Sequence, residues 1–74
     1  MTPTELRQIR ASIGFSQSQM AAALDVDRGT YGKWERGANG LTASGVTAVS
    51  MLQFIHTRKL TGQWVRWLQR PDER

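Results

Sequence analysis

The sequence predicts an all-α fold of five short helices, and three observations carry that reading. Polar residues suited to helix caps stand before apolar runs at Thr2, Ser16 and Asp27. Within the runs the apolar residues recur at three- and four-residue spacing, and Gly14, Gly37 and Pro71 stand where runs end. A chain of 74 residues holds one small domain, here placed at residues 1–70 with a disordered tail at 71–74. The absence of cysteine excludes a disulfide framework and a thiolate metal site, so packing or self-association has to stabilise a thin core.

The first helix opens on Thr2, with Pro3 at its first position and Glu5 reaching back to close a capping box; Leu6, Ile9 and Ile13 follow before Gly14. Arg10 falls among these apolar positions, either as a surface arginine whose stem packs or as half of an ion pair. The second helix spans 17–24, with Ser16 and Gln19 as a second capping box and Met20, Ala21 and Leu24 on one side. Asp25 breaks the pattern. Asp27 caps a third helix that runs to Arg36 and stops at Gly37. Tyr31 and Trp34 make its inward side; Arg28, Gly29, Gly32, Lys33 and Arg36 make its outward side.

Residues 38–42 form a loop. The fourth helix runs from Ala43 to about Lys59, with Gly45, Ala48, Val49, Leu52 and Ile55 on one face and Met51 and Phe54 widening it. His56 has no acidic or cysteine partner at ligand spacing and reads as a core-edge residue rather than a metal ligand. A last helix, 61–70, carries Trp64, Val65, Trp67 and Leu68. Two tryptophans in so short a segment either cap the core or form a two-fold dimer contact, and Trp64, Trp67 and Leu68 are read as that contact.

The net charge is +4, and it is unevenly spread: between Arg28 and Arg70 stand seven Lys or Arg and one acid, Glu35. A basic excess around an exposed helix is the footprint of a polyanion binder. No general acid–base pair, nucleophile elbow, phosphate-cradling glycine loop or metal cluster is visible, so neither an enzyme nor a cofactor or small-molecule ligand is expected. The longest apolar run is too short to span a bilayer and the N-terminus lacks signal-peptide features, so a soluble cytoplasmic protein is expected.

The stretch Phe15–Gly37 resembles the helix-turn-helix of the phage repressor and Cro family, the xenobiotic-response-element (XRE) type. The matching elements are Phe15, Ser16-Gln17, the small Ala21 at the fifth helical position, Leu24-Asp25-Val26, and Trp34-Glu35-Arg36-Gly37. Asp25 departs from the glycine usual in that turn. The likeness is good from Thr4 to Ile55 and poor over the last fifteen or so residues.

The resemblance implies a five-helix, lambda-repressor-like domain with its helix-turn-helix at 16–36 and double-stranded DNA as partner. It implies base reading by the third helix, where Arg28, Gly29, Thr30, Gly32 and Lys33 are the candidates; Arg28 and Lys33 would carry most of it, with G·C pairs in the half-site. The two glycines admit two readings, a close approach of the helix backbone to DNA or base-reading positions left empty. Candidate phosphate-side residues are Ser16, Gln17, Asp27, Arg36, Asn39 and Thr42, although Asn39-Gly40 also suits a turn for its own sake. An arginine matching Arg10 pairs in the family with the glutamate matching Glu35. The implied function is a homodimeric repressor of its own operon on an inverted repeat, in a bacterial or phage-infected cell; the alternative is an antitoxin or adaptor that uses the fold for protein contacts.

Overall fold

The computed structural model describes residues 1–69. The described residues fold into five helices, α1 (Pro3–Ile13), α2 (Gln17–Leu24), α3 (Arg28–Arg36), α4 (Ala43–Thr57) and α5 (Thr61–Leu68). Among the described residues there is no strand, and no helix is long and apolar enough to cross a membrane. The expected tail at 71–74 and the end of the last helix at residue 70 lie outside the described residues.

Local chemistry sets each boundary. Thr2 and Glu5 close a capping box on α1, with Pro3 at its first position and Gly14 left-handed at its end (φ 85°). Ser16 and Gln19 do the same for α2, which ends on Asp25 in the left-handed region (φ 56°). Aspartate tolerates that conformation better than most residues, so the tight turn forms without glycine. The Val26 amide then donates to the Ala21 carbonyl at 3.0 Å and brings α3 sharply round. Asp27 caps α3 through the amides of Gly29 and Thr30. Thr42 caps α4 through the amide of Gly45 at 3.0 Å.

Leu6, Met20, Ala21, Ala23, Tyr31, Val49 and Leu52 form the buried core, flanked by Ile9, Ile13, Phe15, Leu24, Val26, Trp34, Leu41, Trp64 and Val65. α2 is central, packing against α3, α4 and α5, while α1 closes the other side against α3 and α4. The small residues Ala21 and Ala23 let α2 sit this deep. Gly45 is buried as well, and a Cβ there would come within 3.0 Å of Leu41.

Three sequence expectations change. α4 stops at Thr57 rather than near Lys59, because Lys59 turns left-handed (φ 59°). Met51 and Phe54, expected on the core face, are each 58% exposed, with the Arg58 guanidinium over the Phe54 ring at 4.6 Å. Trp64, expected at a dimer contact, is instead engaged inside the domain. Its indole Nε1 donates to the Ala23 carbonyl at 2.6 Å, its ring packs on the core, and it stacks on Trp67 at 5.9 Å. α5 buries none of its residues completely, so this tryptophan is its main anchor to α2.

Two variants test these assignments by thermal or urea denaturation. Lys59→Gly removes the left-handed strain of a side-chain-bearing residue and is expected to raise stability by about 1 kcal/mol. Trp64→Ala is expected to lower it by about 3 kcal/mol, well beyond the effect of Trp67→Ala.

Candidate nucleic-acid interface

The position of α3 is set by Glu35, a charged residue only 3% exposed. Arg10 on α1 grips its carboxylate side-on, Nε to Oε2 at 2.6 Å and Nη2 to Oε1 at 3.1 Å. Gln17 at the start of α2 donates its Nε2 to Oε1 at 3.1 Å. The Tyr31 hydroxyl, one turn back on α3, donates to Oε2. Arg10 Nη1 also donates to the Phe15 carbonyl at 3.0 Å, and Arg7 Nη1 to the Glu35 carbonyl at 2.6 Å. Three helices therefore meet on one carboxylate whose acceptor sites are filled. Among the described residues no buried side-chain nitrogen or oxygen lacks a partner.

Electrostatics follow from this geometry. Burial alone pushes the Glu35 carboxyl upward, but the hydrogen bonds from Arg10, Tyr31 and Gln17 outweigh it and hold the group below the usual carboxylate value. Burial and the bond to Glu35 push the Tyr31 phenol up, so it stays a donor. The Arg10 guanidinium holds its proton more firmly for its bond to Glu35.

The outward side of α3 presents Arg28, Gly29, Thr30 and Lys33, all exposed. The side chains of Arg28, Lys33 and Arg36 make no hydrogen bond or ion pair with another described residue. The only acid on α3 is Glu35, which points inward and is neutralised by Arg10, so this face is cationic.

The structure revises several site assignments. Gly32 is buried, not part of an open face; a Cβ there would lie 3.1 Å from Arg36 Nη1. Gly29 is exposed, and a Cβ there would lie 2.9 Å from the Asp27 carboxylate, so its lack of a side chain leaves room for the cap. Asp27 spends Oδ2 on the Gly29 and Thr30 amides at 2.9 and 3.3 Å; an ionised carboxylate has no donor to offer a phosphate, so its role is the cap.

Among the other phosphate-side candidates, Ser16 and Thr42 are exposed residues whose hydroxyls accept the capping bonds of α2 and α4, and Asn39 is exposed in the loop after α3. Gln17 is half-buried and held by Glu35. Nothing in the sequence marks Arg7 as a partner of the Glu35 carbonyl, whereas Tyr31 and Glu35 stand four residues apart on one helix, the spacing that lets the hydroxyl reach the carboxylate. Among the described residues there is no metal-holding cluster, and the His56 Nδ1 lies 3.3 Å from the Thr61 hydroxyl, bridging α4 and α5.

Two measurements probe the network. Arg10→Ala leaves a buried carboxylate without its cation and is expected to cost about 3–5 kcal/mol at pH 7, read by urea denaturation. Because the native Glu35 pKa is depressed, its stabilisation is complete above the ordinary value of 4.5 and is lost as pH falls below that toward the native value. Urea midpoints should therefore decline below pH 4.5. Glu35→Gln, weaker at neutral pH, should show a shallower decline, with the likewise depressed Glu5 contributing equally to both.

No curated protein and no solved structure matches the chain. A helix-turn-helix family model matches residues 6–53, a span that runs from the first core leucine of α1 through the Glu35 network to the middle of α4. Carrying the two-helix unit, its tight turn and the cationic face within that span, the chain belongs to the Cro/C1-type, or XRE, helix-turn-helix family of DNA-binding transcription regulators.

Proposed function

We propose that the protein binds an inverted-repeat operator as a homodimer and represses its own operon from the cytoplasm, each protomer laying α3 in a major groove. The observation that carries this reading is the pairing of a firmly placed helix with uncommitted cations: Glu35 fixes α3, and Arg28 and Lys33 project from it without internal partners. Arginine and lysine at the exposed N-terminal and middle turns of such a helix suit the N7 and O6 acceptors of guanine. Gln17, Ser16, Asn39 and Thr42 lie on α2 and the flanking caps and loop, where amide and hydroxyl donors can meet phosphates. Thr30 is a candidate for a thymine-methyl or edge contact.

The dimer reading is supported by apolar surface. Two shallow hollows share Ile55 and Trp64 and together take in Met51, Leu60 and Trp67; Met51 and Trp67 are more than half exposed. Trp67 and the half-buried Leu68 remain the α5 contact residues, while the exposed parts of α4 join them and Trp64 moves to the floor. A patch of this kind is the ordinary mark of a protein contact. The same patch would serve the antitoxin or adaptor reading, in which the partner is another protein.

Selection from a random duplex pool tests the proposal: it should return two inverted half-sites with centres about 34 Å apart, each containing G·C pairs. Binding should weaken with salt at a slope near 0.9 per phosphate neutralised. Lys33→Ala should relax the base preference at one position, whereas Gln17→Ala should weaken all duplexes alike. In sedimentation, Trp67→Ala should shift a micromolar dimer toward monomer.

A further inference from the structure

Gly32 poses a question that the core does not answer. A glycine inside a helix costs about 1 kcal/mol relative to alanine, and tight packing against a neighbouring helix is the usual compensation. Here no neighbouring helix supplies it. Beyond its own helix backbone and chain neighbours, the one atom within 4 Å of where a Cβ would stand is Nη1 of Arg36, at 3.1 Å. Gly32 is buried while Lys33 beside it is exposed. The space that a side chain would fill is taken by a guanidinium from one turn further along.

That placement follows from helix geometry. Side chains in an α-helix lean toward its N-terminus, so a long residue covers the surface of the residue four positions earlier. Arg36 runs back along α3 instead of outward over the following loop, because position 32 offers it a lane. Helical spacing sets Gly29, Lys33 and Arg36 on one stripe, and Gly29 adds no side chain to obstruct that stripe either. The guanidinium thus rests over the middle turn of α3, drawn back toward the half that meets base edges when such a helix enters the major groove. It forms no hydrogen bond or ion pair with another described residue, so its planar fork of donors is available.

We propose that Arg36 reads a base rather than a phosphate, working through the gap left by Gly32 and selecting a guanine by bidentate bonds to O6 and N7. The inference rests on the DNA-binding reading above and adds a third base-reading cation to Arg28 and Lys33. It also makes Gly32 a specificity determinant with no contact of its own.

The test is selection from a random duplex pool with the full chain, comparing wild type, Arg36→Lys, Arg36→Ala and Gly32→Ala, with salt titrations on the selected duplex. Arg36→Lys keeps the charge and loses the fork. It should leave the salt slope unchanged and lower the preference for guanine at one position of each half-site by about tenfold. Gly32→Ala puts a methyl where the guanidinium lies, displacing only the end of a flexible side chain. It should alter the preference at that same position while thermal stability holds or rises. The proposal is overturned if Arg36→Lys and Gly32→Ala select the wild-type sequence and Arg36→Ala weakens every duplex alike with a salt slope lower by about one, the signature of a phosphate contact. A wild-type chain that selects no sequence at all overturns the DNA-reading proposal and this one with it, so the two failures are told apart by the wild-type selection alone.

Discussion

The carboxylate of Glu35 is the point on which the domain turns. It is buried in a core whose large members are Tyr31, Leu6, Met20, Leu52 and Val49, too few for apolar packing alone to fix the angle of a nine-residue helix. Apolar contacts are non-directional and tolerate sliding and rotation. Hydrogen bonds to a planar carboxylate do not. Arg10 from α1 holds both of its oxygens and Gln17 from α2 one of them, with Tyr31 of α3 completing the set, so a rotation of α3 breaks the bonds to Arg10 and Gln17 at once. The network's gain in net stability is limited by the desolvation of both charges; what it provides is a single orientation for the helix that carries the cationic face.

Two kinds of information about this fold are local, and these were legible in the sequence. Caps act over three residues and apolar stripes over one or two turns, so Thr2, Ser16, Asp27 and the runs behind them mark α1 to α3 to the residue. What depends on distant partners was not legible. The stripe on α4 contains Met51 and Phe54 as naturally as Leu52, yet only the relative rotation of α4 and α5 decides which are covered. Trp64 looks as surplus as Trp67 until Ala23, forty-one positions away, receives its indole hydrogen. The end of α4 turns on one left-handed lysine, a conformation that residue type does not announce.

The candidate interface divides the same way. The Trp34-Glu35-Arg36-Gly37 element points to an arginine partner, and Arg10 is placed on Glu35. The roles of Arg7 and of Gln17 toward Glu35 emerge only once three helices converge, while the Tyr31 hydroxyl reaches the carboxylate from one turn away on the same helix. Asp27 shows how one residue type admits two readings: near a presumed phosphate path it counts as an interface residue, but its acceptor-only carboxylate is already spent on the amides of α3. The glycines of α3 look equivalent in sequence and differ in space, Gly29 open beside its cap and Gly32 covered by Arg36.

These placements bear on how sequence preference arises in so small a protein. Base reading by rigid contacts requires that the helix not yield when a wrong base is met, since a helix that rotates relieves the mismatch and erases discrimination. With a thin core, that stiffness has to come from the polar network. Gln17 is the shared element: in the proposed DNA complex it faces phosphate, and in the folded domain it also holds Glu35. In that proposed complex, backbone engagement by α2 and the aim of α3 would meet on one side chain and one carboxylate. Loss of the Glu35 carboxylate, which releases Arg10 and Tyr31 as well as Gln17, is expected to blur sequence preference before it abolishes binding, because the cations of α3 retain their attraction for phosphate after their geometry is lost.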